Sequence, residues 1–119
     1  MTGGGALDDL AAALDAFVAE RNWAQFHSAK NLVMALTAEV GELTEHFMWL
    51  DPERSDRLSD AERAAVADEV GDVLIYLLHL CRRLGIDPVR AARAKLDAAG
   101  EKYPVDRFRV PGVPGGPGG

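Results

Sequence analysis

Two tetrapeptides of this chain carry the same chemistry: Glu39-Val40-Gly41-Glu42 and Glu69-Val70-Gly71-Asp72. Helical positions three apart share a face, so each copy aims two carboxylates in one direction, and two such helices packed together would converge four. Four converging carboxylates need a cation. Carboxylate oxygens are hard ligands suited to Mg²⁺ or Mn²⁺, whereas zinc sites recruit His or Cys and di-iron bundles need Glu-x-x-His on two helices, a motif absent here. Mg²⁺ rarely sits in an all-protein cage and shares its shell with water and substrate phosphates. The chemistry expected is that of a phosphate ester or anhydride.

Spacing alone is weak evidence, since Glu53 and Asp56 make another such pair. Placement on the helical wheel says more. Leu32, Leu36, Val40, Leu43, Phe47 and Leu50 form an apolar stripe with Glu39 at its border and Glu42 just outside. Val66, Val70, Val73, Leu77 and Leu84 repeat the pattern, with Leu80 and Glu69 near one edge and Asp72 flanking. A carboxylate brought toward a core is costly unless paired, protonated or bound to metal. The competing reading, a solvated helix face, fits a single copy better than two in matching phase. Gly41 and Gly71 each cost a helix interior about 1 kcal/mol relative to alanine. Their paired use predicts close backbone approach.

The elements that must position these acids read as four helices and no strand. The first spans roughly Leu7 to Glu20, followed by the polar and aromatic segment Arg21-Asn22-Trp23-Ala24-Gln25-Phe26-His27. Ser28 is a good N-cap for the second, which runs to about Leu50, where Asp51-Pro52 stops it. After a charged loop, Ser59 and Glu62 form a capping box opening a third helix, which ends near Leu84 at a C-cap glycine, Gly85. Asp87-Pro88 starts a fourth, reaching about Gly100. Residues 1–105 are expected to form one all-α domain, a four-helix bundle completed by homo-oligomerisation, and the Gly/Pro-rich residues 106–119 a disordered tail.

At 119 residues the core is modest, and dimerisation is expected. Leu74, Ile75, Leu78 and Cys81 carry the third helix's apolar surface well around its circumference, which puts that helix in the subunit interface. Cys81 is then a packed thiol; alone, it has no partner for an internal disulfide or a metal knuckle. No apolar run approaches a membrane span, and the N-terminus, Gly-rich then acidic, does not read as a secretory leader, so a cytoplasmic location is expected. A formal net charge of −6 argues against binding a nucleic-acid polymer.

The run Trp23-Ala24-Gln25-Phe26-His27, then Glu39-Val40-Gly41-Glu42-Leu43-Thr44-Glu45, Trp49, Glu69-Val70-Gly71-Asp72-Val73-Leu74-Ile75-Tyr76-Leu77 and Lys102-Tyr103-Pro104 together resemble the all-α nucleoside triphosphate pyrophosphohydrolases of the MazG-like superfamily, most of all the dCTP pyrophosphatase branch. The resemblance implies a bundle that assembles as dimers or tetramers and an Mg²⁺-dependent cleavage of a nucleoside triphosphate between its α and β phosphates. It implies Glu39, Glu42, Glu69 and Asp72 as metal ligands. Lys95, Lys102 and Tyr103 match the phosphate-contacting C-terminal region, and Trp23, His27, Trp49 and Tyr76 match positions lining the base and sugar pocket. Ala99 stands where the family commonly has an asparagine, so contacts expected there must be weaker or otherwise supplied.

Glu39, nearest the stripe, is the first choice for the base that orients or deprotonates the attacking water, and Lys30 is a further candidate phosphate contact. Glu45 rotates away from the stripe and reads as solvated or supporting. Trp23 and Trp49 suit either base stacking or the core; His27 suits substrate contact or a cap; His46 and His79 read as structural or exposed, and Arg82 and Arg83 as solvated or at a subunit contact. The alternatives are the same fold acting on dUTP, a purine triphosphate or a phosphoribosyl nucleotide, and a non-enzymatic helical oligomerisation module.

Overall fold

The computed structural model describes residues 5–112, and every regular element in them is helical. The helices are α1 (Ala6–Glu20), α2 (Ala29–Glu45), α3 (Pro52–Ser55), α4 (Asp60–Leu84), α5 (Pro88–Lys102) and α6 (Val105–Phe108), with a single 3₁₀ turn over Ala24–Phe26. The chain divides after Asp87 into two compact units. In the first, α4 packs along α2 and, over a shorter contact, against α1.

Local sequence accounts for most of the boundaries. Ser28 caps α2 by accepting the Asn31 N–H at 3.1 Å, and the Asn31 side chain donates back to the Phe26 carbonyl at 3.1 Å. At the start of α4 both halves of the capping box form: the Glu62 N–H donates to the Ser59 hydroxyl, and the Ser59 N–H to the Glu62 carboxylate. Arg54 reaches the same carboxylate at 2.6 Å, and with the Ser59 contacts it holds Glu62 down at about 2. Gly85 closes α4 in the left-handed conformation at φ 67°.

The end of α1 turns the chain toward the site. Asn22 is left-handed at φ 53°; its N–H donates to Ala19, and the Trp23 N–H donates to Val18, both at 3.1 Å. These two bonds make a Schellman closure, with Asn in the place more often held by glycine. The apolar contact that accompanies such closures is the Trp23 ring packed edge-on against Phe17, centroids 5.6 Å apart.

Three expectations are corrected. The helix expected to run to Leu50 ends at Glu45, because Phe47 and Leu50 keep the apolar period while the backbone tightens into turns, with N–H donation from His46 to Leu43 and from Phe47 to Thr44. The expected charged loop holds a short helix: Asp51 caps α3 through the Arg54 N–H at 2.8 Å, with Pro52 in its first turn. A Cβ built on Gly41 or Gly71 meets nothing within 4 Å among the described residues, so neither glycine marks a close backbone approach within the chain.

The buried face of α4 is also not the expected stripe. Leu78, 1 % exposed, and Cys81 are buried, together with Leu32 of α2 and Ala11 and Val18 of α1. Val70 is 50 % exposed, and Leu77 and Leu84 are exposed as well. A helix apolar on most sides does not announce which sector its neighbours will cover. In the second unit, α5 reaches Lys102, two residues past the expected end, and carries no buried residue. A short helix, α6 (Val105–Phe108), runs from the end of the expected domain into the stretch 106–119 expected to be disordered, with Tyr103 edge-on to Phe108 at 5.1 Å; residues 113–119 lie outside the described residues.

Candidate active site

Packing α2 on α4 brings the two acidic copies together. One carboxylate oxygen from each of Glu39, Glu69 and Asp72 lies within 4.8 Å of the others. Glu39 and Glu69 are half-buried and Asp72 is exposed. Glu42, on the exposed side of α2, flanks Glu39 and is the foremost reason that the Glu39 carboxyl is pushed up to about 7. Burial adds to that, as do the charges of Glu42 and Asp72 and contact with Glu69.

Oε2 of Glu39 and Oε2 of Glu69 are both shielded from water and lack a hydrogen-bond partner. Buried carboxylate oxygens left without a donor are costly. The nearby basic group, His46 Nε2, stands 3.8 Å from Glu69 and is itself exposed. A hard divalent cation ligated by these oxygens meets their chemistry, so the donor set fits Mg²⁺ or Mn²⁺.

Beside the acids is a groove of about 160 Å³ whose wall includes Asp72. Trp23, His27 and Tyr76, three of the four candidate base-pocket residues, line it together with Phe17 and His79. Trp23 arrives through the Schellman turn, His27 from the coil ahead of the Ser28 cap, and Tyr76 from the helical turn after Asp72. Trp49 is 87 % exposed and does not line the groove; Lys30 is exposed in the first turn of α2. Lys95, Lys102 and Tyr103 belong to the second unit, where the first two share a face of α5 and the Lys102 ammonium lies 5.4 Å from the Tyr103 ring centre.

A second cavity of about 240 Å³ adjoins the groove, and Val18, His27 and His79 line both. On its rim Arg82 donates to Asp15, tying α4 to α1.

His46, exposed as expected, stands beside Glu69, and His79 lines the groove. Both carry a spacing signal. His46 follows Glu39 by seven residues and His79 follows Asp72 by seven, two helical turns along the acid-bearing face.

The MazG-like family matches residues 34–109, a stretch holding both acidic copies. The dCTP pyrophosphatase 1 of Homo sapiens is 44 % identical over 105 residues, and that of Rattus norvegicus 45 % over the same length. Each alignment covers 87 % of this chain but 62 % of the relative, so the chain spans about three fifths of the length of these curated proteins. A pyrophosphatase from Archaeoglobus fulgidus superimposes with a TM-score of 0.80 at 32 % identity, covering 87 % of this chain and 97 % of that one. With both acidic copies inside the matched stretch, the chain belongs to the MazG-like family.

Proposed function

We propose that this chain is a divalent-metal-dependent nucleoside triphosphate pyrophosphohydrolase acting on dCTP or a modified dCTP in the cytoplasm, removing it from the nucleotide pool as dCMP, or its modified form, and pyrophosphate. The observation that carries this reading is the convergence of Glu39, Glu69 and Asp72 oxygens next to a groove walled by Trp23, Tyr76 and Asp72 itself. The activity in the names of the dCTP pyrophosphatase relatives supports it.

Glu39, Glu42, Glu69 and Asp72 are the ligands that would hold Mg²⁺ or Mn²⁺. When bound, the ion supplies positive charge to the triphosphate oxygens. Trp23 and Tyr76 hold the base against the groove wall, with His27 at its polar edge. Lys30, Lys95, Lys102 and Tyr103 are assigned to the phosphates. Water attacks the α-phosphorus in line, the α–β bridging bond breaks, and pyrophosphate leaves. Glu39, the acid nearest the apolar stripe of α2, orients that water and takes its proton.

A homo-oligomer completes the fold in this reading. Met34, Val40, Met48 and Trp49 on or after α2, and Val70, Leu74, Leu77 and Leu84 on α4, are exposed apolar side chains of the kind that subunit contacts cover. Trp49 reaches a substrate in the assembly and not within one chain.

Chromatographic product analysis with Mg²⁺ and each common deoxy- and ribonucleoside triphosphate tests the proposal. The expected result is dCMP and pyrophosphate from dCTP, with turnover greatly reduced in folded Glu39→Gln, Glu42→Gln, Glu69→Gln and Asp72→Asn proteins. Retained activity in any two of these variants would sink the metal assignment.

A further inference from the structure

Two histidines, with Val18, line both the groove and the second cavity. His27 sits on coil at φ −107° and ψ 61°, outside any helix, and its ring meets His79 of α4 edge-on, with centroids 4.6 Å apart and planes at 65°. Nδ1 of His27 is shielded from water and has no hydrogen-bond partner. The ring therefore has no hydrogen bond through Nδ1 to fix its orientation, and packing must fix it instead.

His79 supplies what a coil residue lacks. It stands on a 25-residue helix, three residues after Tyr76 and seven after Asp72, so its backbone is fixed in the frame that holds the acids. Burial first, and the nearby His27 second, push its basicity down, against an opposing pull from Asp15. A neutral imidazole packs against another ring without like-charge repulsion.

We propose that His79 is a positioning residue for base recognition: by its ring contact it holds the His27 imidazole in place on the groove wall, where its polar edge faces the nucleobase. This rests on the nucleotide reading given above. Removing the imidazole takes a lining group from the groove of about 160 Å³ and leaves His27 without its ring contact, so the base loses a fixed wall while the acids on α2 and α4 stay in place. The loss falls on KM and on the choice among bases, and kcat for the preferred nucleotide changes little.

The test measures kcat and KM for all common nucleoside triphosphates in His79→Ala, His79→Phe, His27→Ala and the His27→Ala/His79→Ala double variant, with thermal melting of each. His79→Ala should raise KM for the preferred nucleotide and shrink its advantage over the other bases by about tenfold. His79→Phe, which restores an edge-on ring, should recover most of that advantage. In the His27→Ala background the His79→Ala substitution should remove nothing more, because the two act as one unit. Unchanged base ratios in His79→Ala, or additive losses in the double variant, overturn this inference alone. Absence of turnover of every nucleotide by the unmodified protein overturns the nucleotide reading, and this inference with it.

Discussion

The raised proton affinity of Glu39 makes metal binding a proton-releasing event whose size is set in advance. With the carboxyl at about 7, the metal-free protein holds about nine-tenths of a proton there at pH 6, about half at pH 7 and about one-tenth at pH 8. A divalent cation ligated by Glu39 must displace that proton, so Mg²⁺ binding should release the same fractions, and its affinity should fall by up to about tenfold per pH unit below 7. Calorimetric titration in two buffers of unlike ionisation enthalpy reads the number directly. Glu39→Gln removes the titrating group and should bring the release close to zero at all three pH values. The sign for stability follows: without metal, the folded carboxyl binds its proton more tightly than the unfolded chain's at 4.5. Glu39 therefore contributes stability that is fully present below pH 4.5 and lost as pH rises through 7. Saturating Mg²⁺ should reverse that trend. A release that stays flat from pH 6 to 8, or one as large in Glu39→Gln as in the unmodified protein, would refute the reasoning.

Two further outcomes are expected. Leu78→Ala, at a side chain 1 % exposed, should lower the unfolding free energy by about 2–5 kcal/mol in urea titration, and a change within experimental error would show that the contact between α4 and its neighbours is not where the core lies. Because so many apolar side chains of α2 and α4 are exposed in one chain, the thermal midpoint should rise with protein concentration over a range of about a hundredfold, and a constant midpoint would count against self-association.

What was legible in the sequence was local or repeated. The Ser59–Glu62 box, the Ser28 cap and Gly85 are each decided by a few neighbouring backbone groups, and all stand where they were expected. The acids were legible because the same pattern occurs twice in one phase, and Glu39, Glu69 and Asp72 do converge. Asp51-Pro52 shows the limit of local rules: α2 already ends at Glu45, and the pair is the cap and first turn of α3, not a stop. The buried sector of α4 was not legible, because Leu78 and Val70 are equally apolar and only the placement of α1 and α2 separates them. His79 was passed over for a similar reason. Its seven-residue spacing from Asp72 was visible, but its partner His27 is remote in sequence, and the coil that brings it there obeys no period.

The acid-lined contact between α2 and α4 also bears on how the protein folds. Glu39 and Glu69 are thirty residues apart, so the two helices reach one another only by closing a long loop, and at the end of that closure they compress like charges in the absence of a counter-ion. In the proposed reading, docking of α2 on α4 is thus the step that a dissolved divalent cation should accelerate. Amide hydrogen exchange along both helices should therefore slow as a cation fills the site, and so record its occupancy.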